Sequence, residues 1–375
     1  MMTGNVAAII LAAGLSERMG EFKPLLPLGG VTIMERVVTL FQSAGIENIR
    51  VVIGHRGAEL EPLLEQLGAC AVANPRYREG MFSSVVAGVA TIDAEVDYFL
   101  VLPVDVPLVR VATLRRLLEL CRQEHADIIY PRFMGERGHP PLIAGSHARE
   151  IAAWQGEGGL KAALGQWESA ALDVDVADEN ILLDMDTPGD YKLLREKVER
   201  MEIPTPEECR ALMENVLCVS EQIVRHGRTV AQVATSLGLE LNRAGCCLDI
   251  PLLEAAALLH DLAKGEPDHA RAGARILRDL GFGAIAEPVA THIDITLNEE
   301  KTIGVGELLY LADKLVQGER MLPLEERFRN KMERCAGDPA VQSIINGRLQ
   351  SALEIRKRVG TRLGRTVEEV LTHER

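Results

Sequence analysis

A change of period constrains this chain more than any other feature. Up to about residue 200, short and almost unbroken apolar runs (Val6–Leu11, Ile49–Ile53, Tyr98–Leu102 and Ile128–Pro131) alternate with amphipathic stretches (Thr32–Ala44, Ala58–Leu67, Ser83–Ile92 and Ala112–Gln123). A run that is apolar at every residue suits a strand covered on both faces. Such strands, spaced by helices, form a mainly parallel sheet wound on both sides. Pro204-Thr-Pro206 interrupts the pattern, and Thr205 followed by Glu207 and Glu208 opens a new helix. Beyond it no convincing strand appears, only helical patterns. The expectation is therefore an α/β doubly wound, mainly parallel sheet over residues 1–200 and an all-α domain over residues 201–375.

Composition narrows the function classes. With 47% hydrophobic and 26% charged residues, each half can bury its own core. A net charge of −14 argues against nucleic acid as a partner, because a phosphate backbone needs a basic surface. Aromatic residues, at 4%, are too few for base-stacking platforms. The Val6–Leu11 run is too short to cross a bilayer and lacks a basic leader, so no membrane partner and a cytoplasmic location are expected. The seven cysteines show no C-x-x-C spacing, and Cys246 and Cys247 are adjacent, which suits reduced thiols better than disulfides.

Leu11-Ala-Ala-Gly-Leu-Ser-Glu-Arg-Met-Gly20 leads straight out of the first apolar run. The small residues Ala12, Ala13 and Gly14 let backbone N–H groups approach a triphosphate, and Gly14 is free to take a positive φ. Ser16, Arg18 and Lys23 add a hydroxyl and two cations within reach of the same anion. Asp105 follows the Tyr98–Leu102 run, at the carboxyl edge where such sheets bind ligands, and a carboxylate there can hold Mg²⁺. Asp186 follows the Ile181–Leu183 run and supplies a second carboxylate. Plainer readings stand beside these: a turn at Asp105 before Pro107, a helix cap at Asp186 before Thr187-Pro188, and a simple turn at Asn74-Pro75.

These segments resemble the MobA-like nucleotidyltransferases, and within them the molybdenum cofactor cytidylyltransferase branch. The resemblance rests on Leu11–Gly20, Lys23-Pro-Leu-Leu, Asn74-Pro, Gly80-Met-Phe-Ser-Ser, Pro103-Val-Asp-Val-Pro-Leu-Val, Gly138-His-Pro-Pro-Leu and Asp184-Met-Asp-Thr-Pro-Gly-Asp-Tyr, and covers roughly residues 5–195. It implies transfer of a nucleotidyl group, CMP from CTP, to a phosphorylated acceptor such as molybdopterin, with release of pyrophosphate. It further implies that Asn74, Ser83 and Ser84 help read the base and that His139 lines the acceptor side. CTP against GTP, and molybdopterin against a sugar phosphate, stay open.

In the second half, Leu212, Val216, Val219, Ile223, His226, Val230, Val233 and Leu237 recur in steps of three and four, so one helix face sends His226 inward. A lone inward histidine is usually a satisfied core residue, but here the pattern repeats. The apolar Leu252–Leu259 segment runs into His260-Asp261, Asp313 shares a stripe with Leu309, Ala312 and Val316, and His292 lies in line with Ile285 and Val289. Buried carboxylates without partners cost on the order of several kcal/mol each, and a shared divalent metal offsets that cost.

His226, His260-Asp261 and Asp313 resemble the HD superfamily of metal-dependent phosphohydrolases. His269-Ala-Arg-Ala-Gly-Ala, His292 and Tyr310-Leu-Ala-Asp313 are similar to its bis(nucleosyl)-tetraphosphate hydrolases. The likeness implies one metal held by His226, His260, Asp261 and Asp313 and a second helped by His269 and His292, of manganese or iron type. It implies Asp261-dependent hydrolysis of a phosphoester or phosphoanhydride of a nucleotide. Lys264 either steadies a substrate phosphate or is a solvated surface lysine. The charged stretch from Arg327 to Arg365 reads as a solvated helical face or a homodimer contact, without chemistry. A non-catalytic, nucleotide-sensing HD domain is the alternative to hydrolysis, and a wholly non-enzymatic sensor a third reading.

Overall fold

The computed structural model describes residues 5–15, 18–124, 126–297, 302–335 and 337–372, and the chain divides into two compact units, Met1–Met201 and Glu202–Arg375. Ser16, one of the expected phosphate ligands, lies outside the described residues.

The first unit is built on strands β1 (Val6–Ala12), β2 (Asn48–Ile53), β3 (Cys70–Ala73), β4 (Tyr98–Pro103), β5 (Ile128–Phe133), β6 (Leu142–Ala144) and β7 (Ala171–Asp175). Their order across the sheet is β7-β5-β6-β4-β1-β2-β3, with β6 antiparallel to both its neighbours and the other pairs parallel. The mainly parallel sheet expected from the apolar runs is present. Three strands escaped the sequence reading because Cys70–Ala73 and Ala171–Asp175 are edge strands with few fully buried residues and Leu142–Ala144 is only three residues long. Central β1 is buried on both faces. Ala7, Ile9 and Leu11 face a core shared with helices α3 (Met81–Val89), α5 (Ala148–Ala153) and α6 (Gly159–Leu164), while α1 (Ile33–Ser43) and α4 (Val111–Glu124) pack together elsewhere on the sheet. A short α2 (Glu61–Gln66) precedes β3, and α7 (Pro188–Val198) closes the unit.

The second unit is helical: α8 (Pro206–Ala211), α9 (Glu221–Arg243), α10 (Ile250–Leu259), α11 (His269–Asp279), α12 (Gly283–Thr291), α13 (Val305–Leu315), α14 (Leu324–Arg334), α15 (Pro339–Leu363) and α16 (Val367–Thr372). Thr205 caps α8 and forms a reciprocal box with Glu208, the helix start that the Pro-Thr-Pro segment predicts. Two expectations need correction. A two-residue ribbon pairs Val316–Gln317 with Arg320–Met321, too short to leave an alternating pattern. The stripe from Leu212 to Leu237 is also not one helix. Leu212–Val216 is a π turn, Cys218 takes a φ of 49°, and α9 starts only after Ser220. No proline or glycine marks the break, so periodicity ran through it. From Ile223 onward the stripe holds, and His226, Val230, Val233 and Leu237 are buried.

Among the described residues no helix is long and apolar enough to cross a membrane. All seven cysteines are free.

Candidate active sites

In the first unit, parallel pairing in register (Leu11 beside Pro103) ends β1 and β4 at the same edge, and Val104 N–H donates to Leu11 O at 3.0 Å. The turn after β1 and the turn bearing Asp105 therefore meet. They line a cleft of about 280 Å³ with Ala12, Ala13, Gly14, Lys23, Tyr77, Arg78, Gly80, Met81, Ser84 and Asp105. Gly14 is not among the glycines at positive φ. Its value lies in exposure, since a Cβ there would meet nothing within 4 Å and the backbone is open to a ligand.

Lys23 is the hub. Its Nζ donates to Asp105 Oδ2 at 3.2 Å and to Asp186 Oδ1 at 3.0 Å, and Arg18 Nη2 donates to Asp186 Oδ2 at 2.8 Å. Four residues spread across 168 positions of sequence thus share one charge network. Burial pushes the Asp105 carboxyl up; Lys23 opposes this without cancelling it, and Asp186 adds to it. The helix-cap reading of Asp186 falls away, because Thr187 caps α7 with Asp190 as its reciprocal partner. Asp105 is held from behind by Met185 N–H, which donates to its carbonyl at 2.9 Å.

Asn74 and Ser83 sit behind the cleft wall. Asn74 Nδ2 donates to Ser83 Oγ at 2.9 Å and Ser84 Oγ at 3.0 Å, and its Oδ1 accepts from Arg76 N–H at 2.9 Å. Of the three residues expected to read a base, only Ser84 lines the cleft; the other two shape the loop. Tyr77 and Arg78, which do line it, lie between the Asn74-Pro and Gly80-Met segments and were passed over. His139 is exposed. The protein around it pushes its imidazole below the usual value, against the pull of Asp105 and Asp184, so it is held toward the neutral form. Gly138 is required beside it, since a Cβ would lie 2.5 Å from Ile181 O.

In the second unit the inward polar residues converge. His226 comes from α9, His260 and Asp261 from the end of α10, His269 from the start of α11, His292 from the end of α12 and Asp313 from α13. Gly227 makes the α9–α10 approach possible: a Cβ there would stand 2.6 Å from Leu258 O. With that contact made, the His226 and His260 rings lie 5.2 Å apart.

The hydrogen bonds set the tautomers. Nδ1 of His226, His260 and His292 faces the carbonyls of Gly318, Ala257 and Val289 at 2.8, 2.8 and 2.7 Å. A carbonyl only accepts, so each Nδ1 carries the proton, and in the neutral ring Nε2 presents a lone pair. Those lone pairs point at carboxylates. His226 Nε2 lies 3.3 Å from Asp313 Oδ1, His260 Nε2 lies 3.5 Å from Asp261 Oδ2 and 3.7 Å from Asp313 Oδ1, and His292 Nε2 lies 3.6 Å from Asp261 Oδ1. His260 Nε2 is fully buried and has no hydrogen-bond partner. Burial outweighs the two aspartates and pushes its pKa down to about 4, so the ring is neutral at neutral pH. Lone pairs facing ionised carboxylates in a buried site repel one another unless a cation lies between them, and this donor set suits a divalent metal.

Two ligand sets share Asp261: His226, His260 and Asp261, and Asp261, His269 and His292, with the atoms of each set within 4.8 Å of one another. Asp313 adjoins the first set. His269 joins the second although only seven residues separate it from Asp261: Asp268 takes a φ of 54° and starts α11, bringing His269 Nε2 to 3.1 Å from Asp261 Oδ1. Both carboxylates stay ionised. Burial raises both, but Lys314 and then Arg327 hold Asp313 well below the ordinary range, and His269 and Lys264 do the same for Asp261. Lys264 is half exposed and paired to Asp261, so it is a partner of the cluster rather than a free surface lysine.

Comparisons with known proteins match the two units separately. Residues 8–172 match the family described as MobA-like NTP transferase domain, and residues 223–327 match the HD domain. The molybdenum cofactor cytidylyltransferase of Escherichia coli (strain K12) is 30% identical over 195 residues, covering 51% of this chain and 96% of the relative. A probable molybdenum cofactor guanylyltransferase of Bacillus cereus (strain ATCC 10987 / NRS 248) is 32% identical over 146 residues, covering 38% of this chain and 68% of the relative. Among solved structures, a nucleotidyl transferase from Methanothermobacter aligns with a TM-score of 0.44 at 26% identity, over 52% of this chain and 98% of its own.

Proposed function

We propose that this chain, which belongs to the MobA-like NTP transferase family in its first half and carries an HD domain in its second, is a bifunctional cytoplasmic enzyme. Residues 1–200 would transfer CMP from CTP to a molybdopterin-type phosphate, and residues 201–375 would hydrolyse a phosphoester or phosphoanhydride. The transferase class and its need for a nucleoside triphosphate follow from the family. The cytidylyl and molybdopterin assignments draw on the relative matched over nearly its whole length.

The observation that carries the first activity is Lys23 bridging Asp105 and Asp186 at the mouth of the Ala12–Gly14 turn. Those two carboxylates would hold Mg²⁺, which when bound supplies positive charge at the triphosphate. The exposed backbone of the turn binds phosphate oxygens through its N–H groups. Lys23 and Arg18 would take up charge on the departing pyrophosphate as the acceptor phosphate attacks the α-phosphorus. His139, held toward its neutral form, can orient the acceptor by a hydrogen bond. In the second unit His226, His260, Asp261 and Asp313 would hold one metal and Asp261, His269 and His292 another, of manganese or iron type. Such a metal supplies a bound water of lowered pKa. The backbone carbonyls behind three of the imidazoles keep their Nε2 lone pairs aimed inward, and Lys264 offers a cation at the cleft edge.

The full-length protein, given CTP, Mg²⁺ and a molybdopterin-type acceptor, should release pyrophosphate, and Asp105→Ala should not. With Mn²⁺ and a panel of phosphate esters it should release phosphate, and Asp261→Ala should not. Absence of turnover across a broad nucleotide and acceptor panel would overturn the first assignment; unchanged hydrolysis in Asp261→Ala would overturn the second.

A further inference from the structure

The charged helices beyond residue 325 are not simply a solvated face. Lys314 of α13, Arg327 and Lys331 of α14 and Arg348 of α15 line the same cleft as Asp261, His269, His292 and Asp313, a space of about 950 Å³. Its lining holds eight lysines and arginines against five acidic residues, two of which are the ligand carboxylates Asp261 and Asp313. In a chain of net charge −14 this is a local inversion of sign.

Packing fixes most of these cations. Buried Lys314 donates to Asp313 Oδ2 at 2.7 Å and to His292 O at 2.9 Å. Arg327 is tied by Nη1 to the carbonyls of Asp313 and Val316, with Nη2 3.7 Å from Asp313 Oδ1. Arg348 forks onto Asp294 with two contacts of 2.6 Å. Lys331, at the exposed rim, has no hydrogen bond or ion pair among the described residues. Its surroundings, and then Arg348, Lys314 and Arg327, push its ammonium below the usual value. Cations crowded together with too few counter-ions favour an incoming anion. The lining holds no tryptophan or tyrosine among the described residues; Phe328 is 3% exposed and offers no stacking face, and the remaining rings, His269 and His292, belong to the ligand cluster itself.

We propose that Lys314, Arg327, Lys331 and Arg348 form a phosphate subsite beside the metal cluster, so that the second domain selects a condensed phosphate by its phosphates alone. This rests on the hydrolase reading above and names its substrate class. The inorganic pyrophosphate that nucleotidyl transfer releases is one such ligand. Its hydrolysis would remove a product of the first domain and draw the transfer forward. In the step, a water oxygen bonds to the phosphorus at the metal cluster and the bridging P–O bond breaks. The bridging oxygen leaves with the electron pair on the distal phosphate, and the two water protons end on the two phosphates. The four cations stand where that distal phosphate gains charge.

Full-length protein in excess Mn²⁺ should release phosphate from pyrophosphate and tripolyphosphate. Its kcat/KM for tripolyphosphate should exceed that for p-nitrophenyl phosphate by about tenfold or more, an advantage that shrinks as salt rises. Lys331→Glu should lower kcat/KM for tripolyphosphate about tenfold, and lower it more than for the monoester. Lys357→Glu, the same charge change on α15 away from this cleft, should not. Turnover of a dinucleoside tetraphosphate without turnover of the inorganic chains would overturn the proposal, as would equal losses in the two variants. Should nothing be hydrolysed, calorimetric binding of tripolyphosphate that weakens in Lys331→Glu alone would uphold the subsite and remove the hydrolase reading instead. No binding would remove both.

Discussion

Sharing one carboxylate between two ligand sets has a measurable consequence. If Asp261 belongs to both, saturating metal should stabilise the second unit in two increments that single substitutions remove separately. A ligand at about 100 times its Kd stabilises the native state by about 2.7 kcal/mol per site. For a unit of the size of residues 202–375, each kcal/mol moves the midpoint by about 2–4 °C, so one site is worth about 5–11 °C and two about twice that. His226→Ala touches only the first set and His269→Ala only the second, so each should keep about half the shift. Asp261→Asn should lose nearly all of it. The chain supplies its own assay, because both tryptophans, Trp154 and Trp167, lie in the first unit. In an Asp105→Ala background, which removes the first unit's own cation site, Mn²⁺ should therefore raise the melting seen by far-UV circular dichroism, with metal analysis counting two equivalents, and leave the tryptophan fluorescence transition nearly unmoved. A full shift retained in Asp261→Asn, or a shift abolished outright by His269→Ala, would refute the shared-ligand geometry.

Other outcomes follow from the same contacts. Lys23→Met should cut nucleotidyl transfer by about 100-fold with the fold intact by circular dichroism, since it removes a positioned cation while the cleft walls stay in place. Asp105 must be ionised to bind a cation and its carboxyl sits above the ordinary range. Transfer should therefore be full above that raised value and decline as pH falls through it, giving a kcat/KM profile with an acid limb above the usual aspartate value of about 3.9. Gly227→Ala forces a Cβ against Leu258 O; the overpacking costs about 1–3 kcal/mol, and a better helix former returns about 1 kcal/mol. The variant should stay folded but lose affinity for the metal at the His226–His260 set in a titration, while keeping the His269–His292 set. Asn74→Ala leaves the Ser83 and Ser84 hydroxyls without their amide donor, and should raise KM for the nucleotide and lower the first unit's midpoint.

Much of the architecture was legible along the chain because it depends on neighbours. Buried strands such as Val6–Ala12 announce themselves by unbroken apolarity, and Thr205 with Glu208 marks a helix start within four residues. Among the expected ligands, His226, His292 and Asp313 could be picked out because helical period shows which side chains must point inward, His260 and Asp261 because an apolar segment runs into them, and His269 only through the family resemblance. The π turn at Leu212–Val216 and the short ribbon at Val316 were missed, since neither carries a proline, a long alternation or any other local mark.

The sequence by itself thus determined two folding regimes, the turn that follows the first strand, and a set of imidazoles and carboxylates too costly to bury alone. Only the tertiary structure decided which of them meet. Lys23 finds Asp186 across 163 positions, Asn74 turns its amide to the loop rather than the cleft, and Lys331 and Arg348 line the same cleft as the imidazoles and carboxylates although their helices look merely charged. Helical period shows that a side chain points inward or outward, but not which helix stands opposite. That choice comes from packing, and in this chain packing sets both the cluster of imidazoles and carboxylates and the charge around it.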